Sequence, residues 1–301
     1  MTSNMIKPQV QCIFHDATST CTYIVKDPTS KHACIIDPVM DFDPAAVRTS
    51  QKHNEAVASY CEMEDLQVDY IIETHVHADH MTGAEFLKKK FPQAKTAIGE
   101  NVTKVQELFK GIFNLHTKGD NFEPDGTQFE LLLQDEQELD LGSLKIKILY
   151  TPGHTPACVS LVIGDAVFTG DTLFMPDMGT ARCDFPAGSV ENLYNSIQKL
   201  YELPDDTRVF VGHDYAPGGR EFAWETTIGQ SKEFNKQIKA NTPLEEFSEF
   251  RKARDASLNP PRLILPSLQI NLRNGALPPK ESNGISYLKL PLNVLGKDDH
   301  A

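Results

Sequence analysis

Residues 69–83 read DYIIETHVHADHMTG, and no other stretch limits the fold so strongly. The apolar, β-branched run around Tyr70–Ile72 reads as a buried strand. Directly beyond it the chain sets down His75, His77, Asp79 and His80 within six positions. Three imidazoles and a carboxylate at the end of one strand are too many for chance packing. A fold that carries them must give them something to hold.

Three later segments repeat the arrangement. TPGHTP with His154, TGDTLF with Asp171 and GHDY with His213 each follow an apolar strand-like run and end in a Gly/Pro/Thr turn. Strands fix where their ends lie, and the turns expose side chains toward a common rim. Imidazole and carboxylate together suit iron, zinc or manganese and not calcium.

Composition narrows the chemistry. With 42 acidic against 29 basic side chains, net −13, a nucleic-acid backbone binder is disfavoured and small ligands are favoured. No run approaches 18 apolar residues, so no membrane helix is expected. The first twenty residues hold no apolar signal core, which disfavours ordinary secretion. Six cysteines, at 12, 21, 34, 61, 158 and 183, form no C-x-x-C pair and read as reduced, mostly buried thiols. A cytoplasmic location follows as an expectation. Cys158 reads as a packing residue; Cys183 is left open between packing and a pocket wall.

Strand-like runs open the chain at QCIFHD, CTYIVKD and HACIIDPV. A helix is expected from Asp43 as N-cap with Pro44 behind it, with Val47, Ala56, Val57 and Tyr60 on its apolar side. GAEFLKKKF is a second helix. QFELLLQD, ELDLGSLKIKILYTPG and CVSLVIGDAVFTGD read as strands with turns at Gly142 and Gly164. SVENLYNSIQKLYEL places Val190, Leu193, Ile197, Leu200 and Tyr201 at helical spacing, and RVFVGHDY is a short strand. Two blocks of strands, each followed by helices, point to two β-layers with helices outside. Residues 222–256 read as mainly helical. Beyond Asn259 the Pro-, Gly- and Asn-rich tail is too apolar for a linker, and Leu263, Ile264, Leu268, Ile270 and Leu272 need burial. An extended appendage is expected, packed on the core or on a partner in a homodimer.

Other chemistries fit less well. No G-x-S-x-G elbow and no G-x-G-x-x-G cradle occurs. TGD as a phosphatase aspartate leaves the histidines unexplained. Asp37, in IIDPV, reads as structural, and Asp184 is ambiguous.

Taken in order and spacing, THVHADH, TPGHTP, FTGD and GHDY resemble the metallo-β-lactamase superfamily over roughly residues 10–240. The resemblance implies an α/β fold, a four-layer αββα sandwich with a metal site at the edge between the sheets. It divides the chain into a catalytic domain, 1–240, and a C-terminal helix with an extended tail, 241–301. Within it, GTARCDFPAGS, GHDYAPGGREFAWETT and the tail from LPSLQINLRNG to NGISYLKLP resemble the persulfide dioxygenases, particularly their bacterial β-lactamase-like hydrolase branch.

That resemblance implies one Fe(II) per chain on His75, His154 and Asp171, with glutathione persulfide and dioxygen as substrates and glutathione and sulfite as products. Two imidazoles and a carboxylate on one face leave adjacent positions where sulfur and dioxygen can bind side by side. In hydrolytic relatives His77 completes a first metal site, while Asp79, His80 and His213 hold a second metal with Asp171 between. In the dioxygenases His77, Asp79, His80 and His213 are expected to orient ligands and bind water. Arg182 and Tyr215 are implied near the glutathione moiety; Arg220 is a further candidate, and Trp224 reads as core packing. Glyoxalase II, a binuclear thioester hydrolase of acylglutathiones, is the alternative, although its basic C-terminal helical region has no counterpart here. A metal-binding persulfide sensor without turnover, resting on exposure of Cys158 and Cys183, is a third possibility.

Overall fold

Alternation along the first strands already separates two faces. In β1 (Gln9–His15), β2 (Thr20–Lys26) and β3 (His32–Ile36), an antiparallel meander, Tyr23, Val25, Cys34 and Ile36 face one core while Ile24, Ala33 and Ile35 face another. The computed structural model describes residues 6–117 and 120–294; residues 1–5 and 295–301 of the two expected domains lie outside it. A hairpin of β4 (Val39–Asp43) and β5 (Arg48–Ser50) leads into α1 (Lys52–Met63). Then come β6 (Gln67–Ile72), the short β7 (Met81–Thr82), α2 (Ala84–Lys90), β8 (Lys95–Gly99) and α3 (Val102–Phe113). A small ribbon, β9 (His116–Thr117) with β10 (Asp120–Asn121), precedes β11 (Leu131–Leu133). β6, β8 and β11 join parallel to β3, so the first sheet runs β1-β2-β3-β6-β8-β11.

The second sheet is built from β12 (Glu138–Leu141), β13 (Leu144–Tyr150), β14 (Val159–Ile163) and β15 (Ala166–Phe168). After α4 (Val190–Tyr201) it continues with β16 (Arg208–Phe210) and β17 (Glu225–Thr227), in sequential order and antiparallel except between β15 and β16. Helices α5 (Ile228–Phe234), α6 (Leu244–Ala256) and α7 (Ile264–Asn271) follow. The inner faces meet in one core from Tyr23, Val25 and Ile36 to Ile146, Leu161 and Phe168. α1 and α2 cover the outer face of the first sheet; α4, α5 and α6 cover that of the second. The result is the αββα sandwich.

Three sequence expectations need correction. No helix starts at Asp43: its Oδ1 accepts the N–H groups of Ala45 and Ala46, closing a tight turn of the kind Asp-Pro favours. Val47, 65% exposed at φ +50°, turns the chain back into β5, and the helix begins at Lys52 with Val57, Ala58 and Cys61 inward. Residues 222–256 include the edge strand β17 and a loop between α5 and α6. The tail is not wholly extended, because LILPSLQI folds as α7. Pro266 sits in the first turn, where backbone N–H groups have no intrahelical acceptor to lose. Leu263, Ile264, Leu268, Ile270 and Leu272 are all buried, as their composition demanded.

Candidate metal centre

Four apolar strands, β6, β13, β15 and β16, end at the same edge of the sandwich. β6 runs into the loop carrying His75, His77, Asp79 and His80; the β13–β14 turn carries His154; the segment after β15 carries Asp171; the segment after β16 carries His213. Backbone bonds hold these ends together across the sheets. Val159 donates to the Thr74 carbonyl at 2.9 Å, Cys21 to the Gly212 carbonyl at 2.9 Å, and the Tyr23 hydroxyl to the Val211 carbonyl at 2.6 Å. Two glycines are required for the approach. A Cβ on Gly153 (φ +144°) would lie 2.4 Å from the Leu193 backbone, and one on Gly170 (φ +46°) 2.4 Å from Thr74 Oγ1.

The donors fall into overlapping groups. Atoms of His75, His154 and Asp171 lie within 4.8 Å of one another, as do those of His77, Asp79, His80 and His213, and those of Asp37, Glu73 and His77. Asp171 stands between the first two: Oδ2 is 3.8 Å from His154 Nε2, and Oδ1 is 3.3 Å from His213 Nε2. Asp79 Oδ2 is 3.3 Å from His213 Nε2 and 3.2 Å from His80 Nδ1.

The far ring nitrogens are tethered. His154 Nδ1 donates to the Arg182 carbonyl at 2.7 Å, His213 Nδ1 to the Ser19 carbonyl at 3.1 Å, and His75 Nδ1 lies 3.0 Å from Thr74 Oγ1. Asp37 accepts from Thr74 N at 2.7 Å, Thr74 Oγ1 at 2.8 Å and His77 Nε2 at 3.1 Å. It does so from a left-handed backbone, φ +50°, so its structural reading becomes an orienting one. Glu73, which sequence reasoning passed over, lies 3.1 Å from the same His77 nitrogen and accepts from Thr82 Oγ1. Asn271 of α7 was also missed. Its Nδ2 donates to the carbonyls of His77 and His80, both at 2.8 Å, and its Oδ1 accepts from Thr82 N at 2.8 Å.

What remains unpaired is one side of the cluster. His75 Nε2, His77 Nδ1, His80 Nε2, His213 Nε2 and Asp171 Oδ1 are buried without a hydrogen-bond partner. Buried polar atoms are seldom left so, and five from one cluster fit the coordination of a cation. The electrostatics agree. Burial, then the nearby rings of His77 and His154, hold His75 well below its ordinary pKa; burial and His77 bring His80 down to about 4. Both rings are neutral and can ligate. Burial opposes charge on His77 and His213 too. Asp37 and Glu73 outweigh it at His77, as Asp171 and Asp79 do at His213, so both are raised. The carboxylates draw positive charge into the centre.

The substrate candidates are placed less simply. Tyr215 stacks its ring on His213 with centroids 5.8 Å apart and is half exposed, beside the donors. Arg182 grips Asp184 through Nε (2.6 Å) and Nη2 (2.7 Å) and the Asn259 carbonyl through Nη1 (2.7 Å). Arg220 is held on both sides by Asp177 and the fully buried Asp214, with four contacts of 2.6–2.9 Å. It clamps the His213 turn. Trp224 is partly buried against both cores, as expected. Cys158 and Cys183 are 3% and 5% exposed, which removes the basis for a thiol sensor.

A chain of residues fixes His154 from a distance. Arg251 and Asp255, buried in α6, pair at 2.7 Å; Asp255 Oδ2 accepts from Cys183 N at 3.0 Å, beside the Arg182 carbonyl that holds His154.

Comparison with known proteins gives a consistent picture. The profile of the Metallo-beta-lactamase superfamily matches residues 16–213. "Glyoxylase B2" of Dictyostelium discoideum is 48% identical over 280 residues, covering 92% of this chain and 94% of that one. A "Beta-lactamase hydrolase-like protein" of Xylella fastidiosa (strain Temecula1 / ATCC 700964) is 46% identical over 96% of this chain, which spans 65% of that protein's length. The mitochondrial persulfide dioxygenase ETHE1 of Homo sapiens is 30% identical over 67% of each chain. Among solved structures, ETHE1 from Myxococcus xanthus superposes with a TM-score of 0.69 at 29% identity, covering 89% of this chain and all of that one.

Proposed function

This chain belongs to the metallo-beta-lactamase superfamily, and from that premise we propose that it is an iron(II)-dependent persulfide dioxygenase. It would convert glutathione persulfide, dioxygen and water to glutathione and sulfite. One observation carries the reading: His75, His154 and Asp171 form a compact two-histidine, one-carboxylate set, while His77 is grouped with other residues. That donor set is the one non-haem Fe(II) oxygenases use.

Iron bound there, one per chain, would supply electrons to dioxygen, which zinc cannot do. The chain's own residues do the rest. The Arg182 carbonyl and Thr74 fix the rings of His154 and His75 so that each turns its Nε2 inward. Asp171 contributes the negative charge. Asp79, between His80 and His213, is positioned to hold a water and receive protons released as sulfite forms. Tyr215, on His213, walls the sulfur end of the substrate.

A second reading has its own support. A binuclear thioester hydrolase would hold its metals on all five unpaired atoms, with Asp171 lying between the His154 and His213 sides of the cluster. The names of the more similar relatives, glyoxylase and hydrolase-like, also favour it over the dioxygenase. Metal substitution separates the two. The iron form is expected to consume oxygen and release sulfite from glutathione persulfide, and the zinc form to do neither. Rapid cleavage of S-lactoylglutathione by the zinc form under nitrogen, with no oxygen uptake by the iron form, would establish the hydrolase instead.

A further inference from the structure

With Arg182 and Arg220 already gripping carboxylates of the chain itself, the groups that receive an acidic substrate must be sought elsewhere. Arg208, Arg251 and Arg273 are likewise paired, with Asp165, Asp255 and Asp120. Among the described residues, the side chains of Arg48 and Arg262 make no hydrogen bond or ion pair. Both are exposed, and both line the same cavity of about 390 Å³, whose wall also contains His80 of the metal centre. In a chain of net charge −13, two free guanidinium groups lining one cavity need a reason.

Acids in that wall do not supply it. Asp41 accepts from the His53 N–H at 3.0 Å and faces His15 Nε2 at 3.4 Å. Asp43 is occupied by the N–H groups of Ala45 and Ala46. The cavity lies in the size range of small-molecule sites. Its arginines come from separate elements, Arg48 from β5 and Arg262 from the turn before α7, so they suit a ligand with two separated carboxylates. A guanidinium fork matches a carboxylate in two parallel hydrogen bonds.

We propose that Arg48 and Arg262 bind the carboxylates of the substrate in this cavity, and set its preference for an acidic thiol conjugate. The inference rests on the thiol-conjugate chemistry proposed above, and it holds whether the sulfur is oxygenated or a thioester is cleaved.

The test uses the metal-loaded full chain, with S-methylglutathione and its dimethyl ester as binding probes in calorimetry, alongside steady-state kinetics. Wild type should prefer the acid to the ester. Arg48→Met and Arg262→Met should each weaken acid binding and raise KM about tenfold, with kcat within about twofold. The double variant should no longer distinguish acid from ester, and Arg48→Lys should recover part of the preference. Arg254→Met, which removes an exposed guanidinium of α6, should keep it. An undiminished acid preference in the double variant overturns the assignment, as does a wild type that prefers neither probe. Wild type inert toward both glutathione persulfide and S-lactoylglutathione would defeat the proposed reaction, and the two probes then judge the arginines by themselves.

Discussion

At the scale of single residues, the donors that announced themselves were those whose chemistry is local. His75, His154, Asp171 and His213 each follow a strand and precede a turn, so sequence order alone brought them into view. Glu73 gave no such sign. A glutamate at a strand end reads as solvated, and its partners His77 and Thr82 become neighbours only once the loop closes. Its role can be measured. Glu73→Gln should weaken metal binding by about 10–100-fold, as loss of a group that orients a ligand commonly does. Competition with a chromophoric chelator gives the number, and wild-type affinity in the variant would deny Glu73 that role. Asp171→Asn should lose metal more severely, because the charge facing both halves of the cluster disappears. The cysteines make a contrasting case. Burial pushes the thiols of Cys61, Cys158 and Cys183 up to about 12. Native protein should therefore resist alkylation by iodoacetamide, and unfolded protein should expose all six thiols. Fast native modification of Cys158 or Cys183 would bring the sensor back.

Elements were legible where burial and periodicity coincide. α4 is the clear case: Ser189 accepts the Asn192 N–H as N-cap, and Val190, Leu193, Ile197, Leu200 and Tyr201 are all buried. α7 was hidden because a proline inside a short apolar run speaks against a helix unless it falls in the first turn. α6 was expected as a helix, but nothing in LEEFSEFRKARDA distinguishes its buried charges from its solvated ones. Arg251 and Asp255 are 2% and 5% exposed. Asp255→Ala should cost about 3–5 kcal/mol, since it strands the Arg251 charge in the interior, whereas Arg251→Met with Asp255→Leu should cost much less. Chemical denaturation measures both. Equal losses would mean that packing, rather than the stranded charge, governs this helix. Because Asp255 also holds Cys183 N, the single variant should bind metal more weakly even where it remains folded.

Across the whole molecule, stability should depend on pH in a direction the histidines fix. His53, with Nε2 3.1 Å from Thr22 Oγ1, is brought down to about 4 by burial and then by the neighbouring His15. An unfolded chain protonates the same ring near 6.5. Between those values the unfolded state binds more protons, so stability is complete above about pH 6.5 and declines as pH falls toward about 4. Thermal melts of metal-free protein should show this decline, and His53→Gln should flatten it; an unchanged slope would exclude His53 as the cause. The homodimer expected from the tail has support in Ile285, Leu290 and Leu292, which are 54%, 67% and 83% exposed. Light scattering should give about twice the 33.6 kDa chain mass, and a monomer at all concentrations would refute it.

The bonds from Asn271 to the loop at His77 and His80 join residues 194 and 191 positions apart. A ribosome adding about 5–20 residues per second needs roughly 10–40 s to cover that interval. For all that time the loop lacks the amide that holds its two carbonyls. A metal taken up before residue 271 is made would therefore sit in a loop that Asn271 does not yet hold.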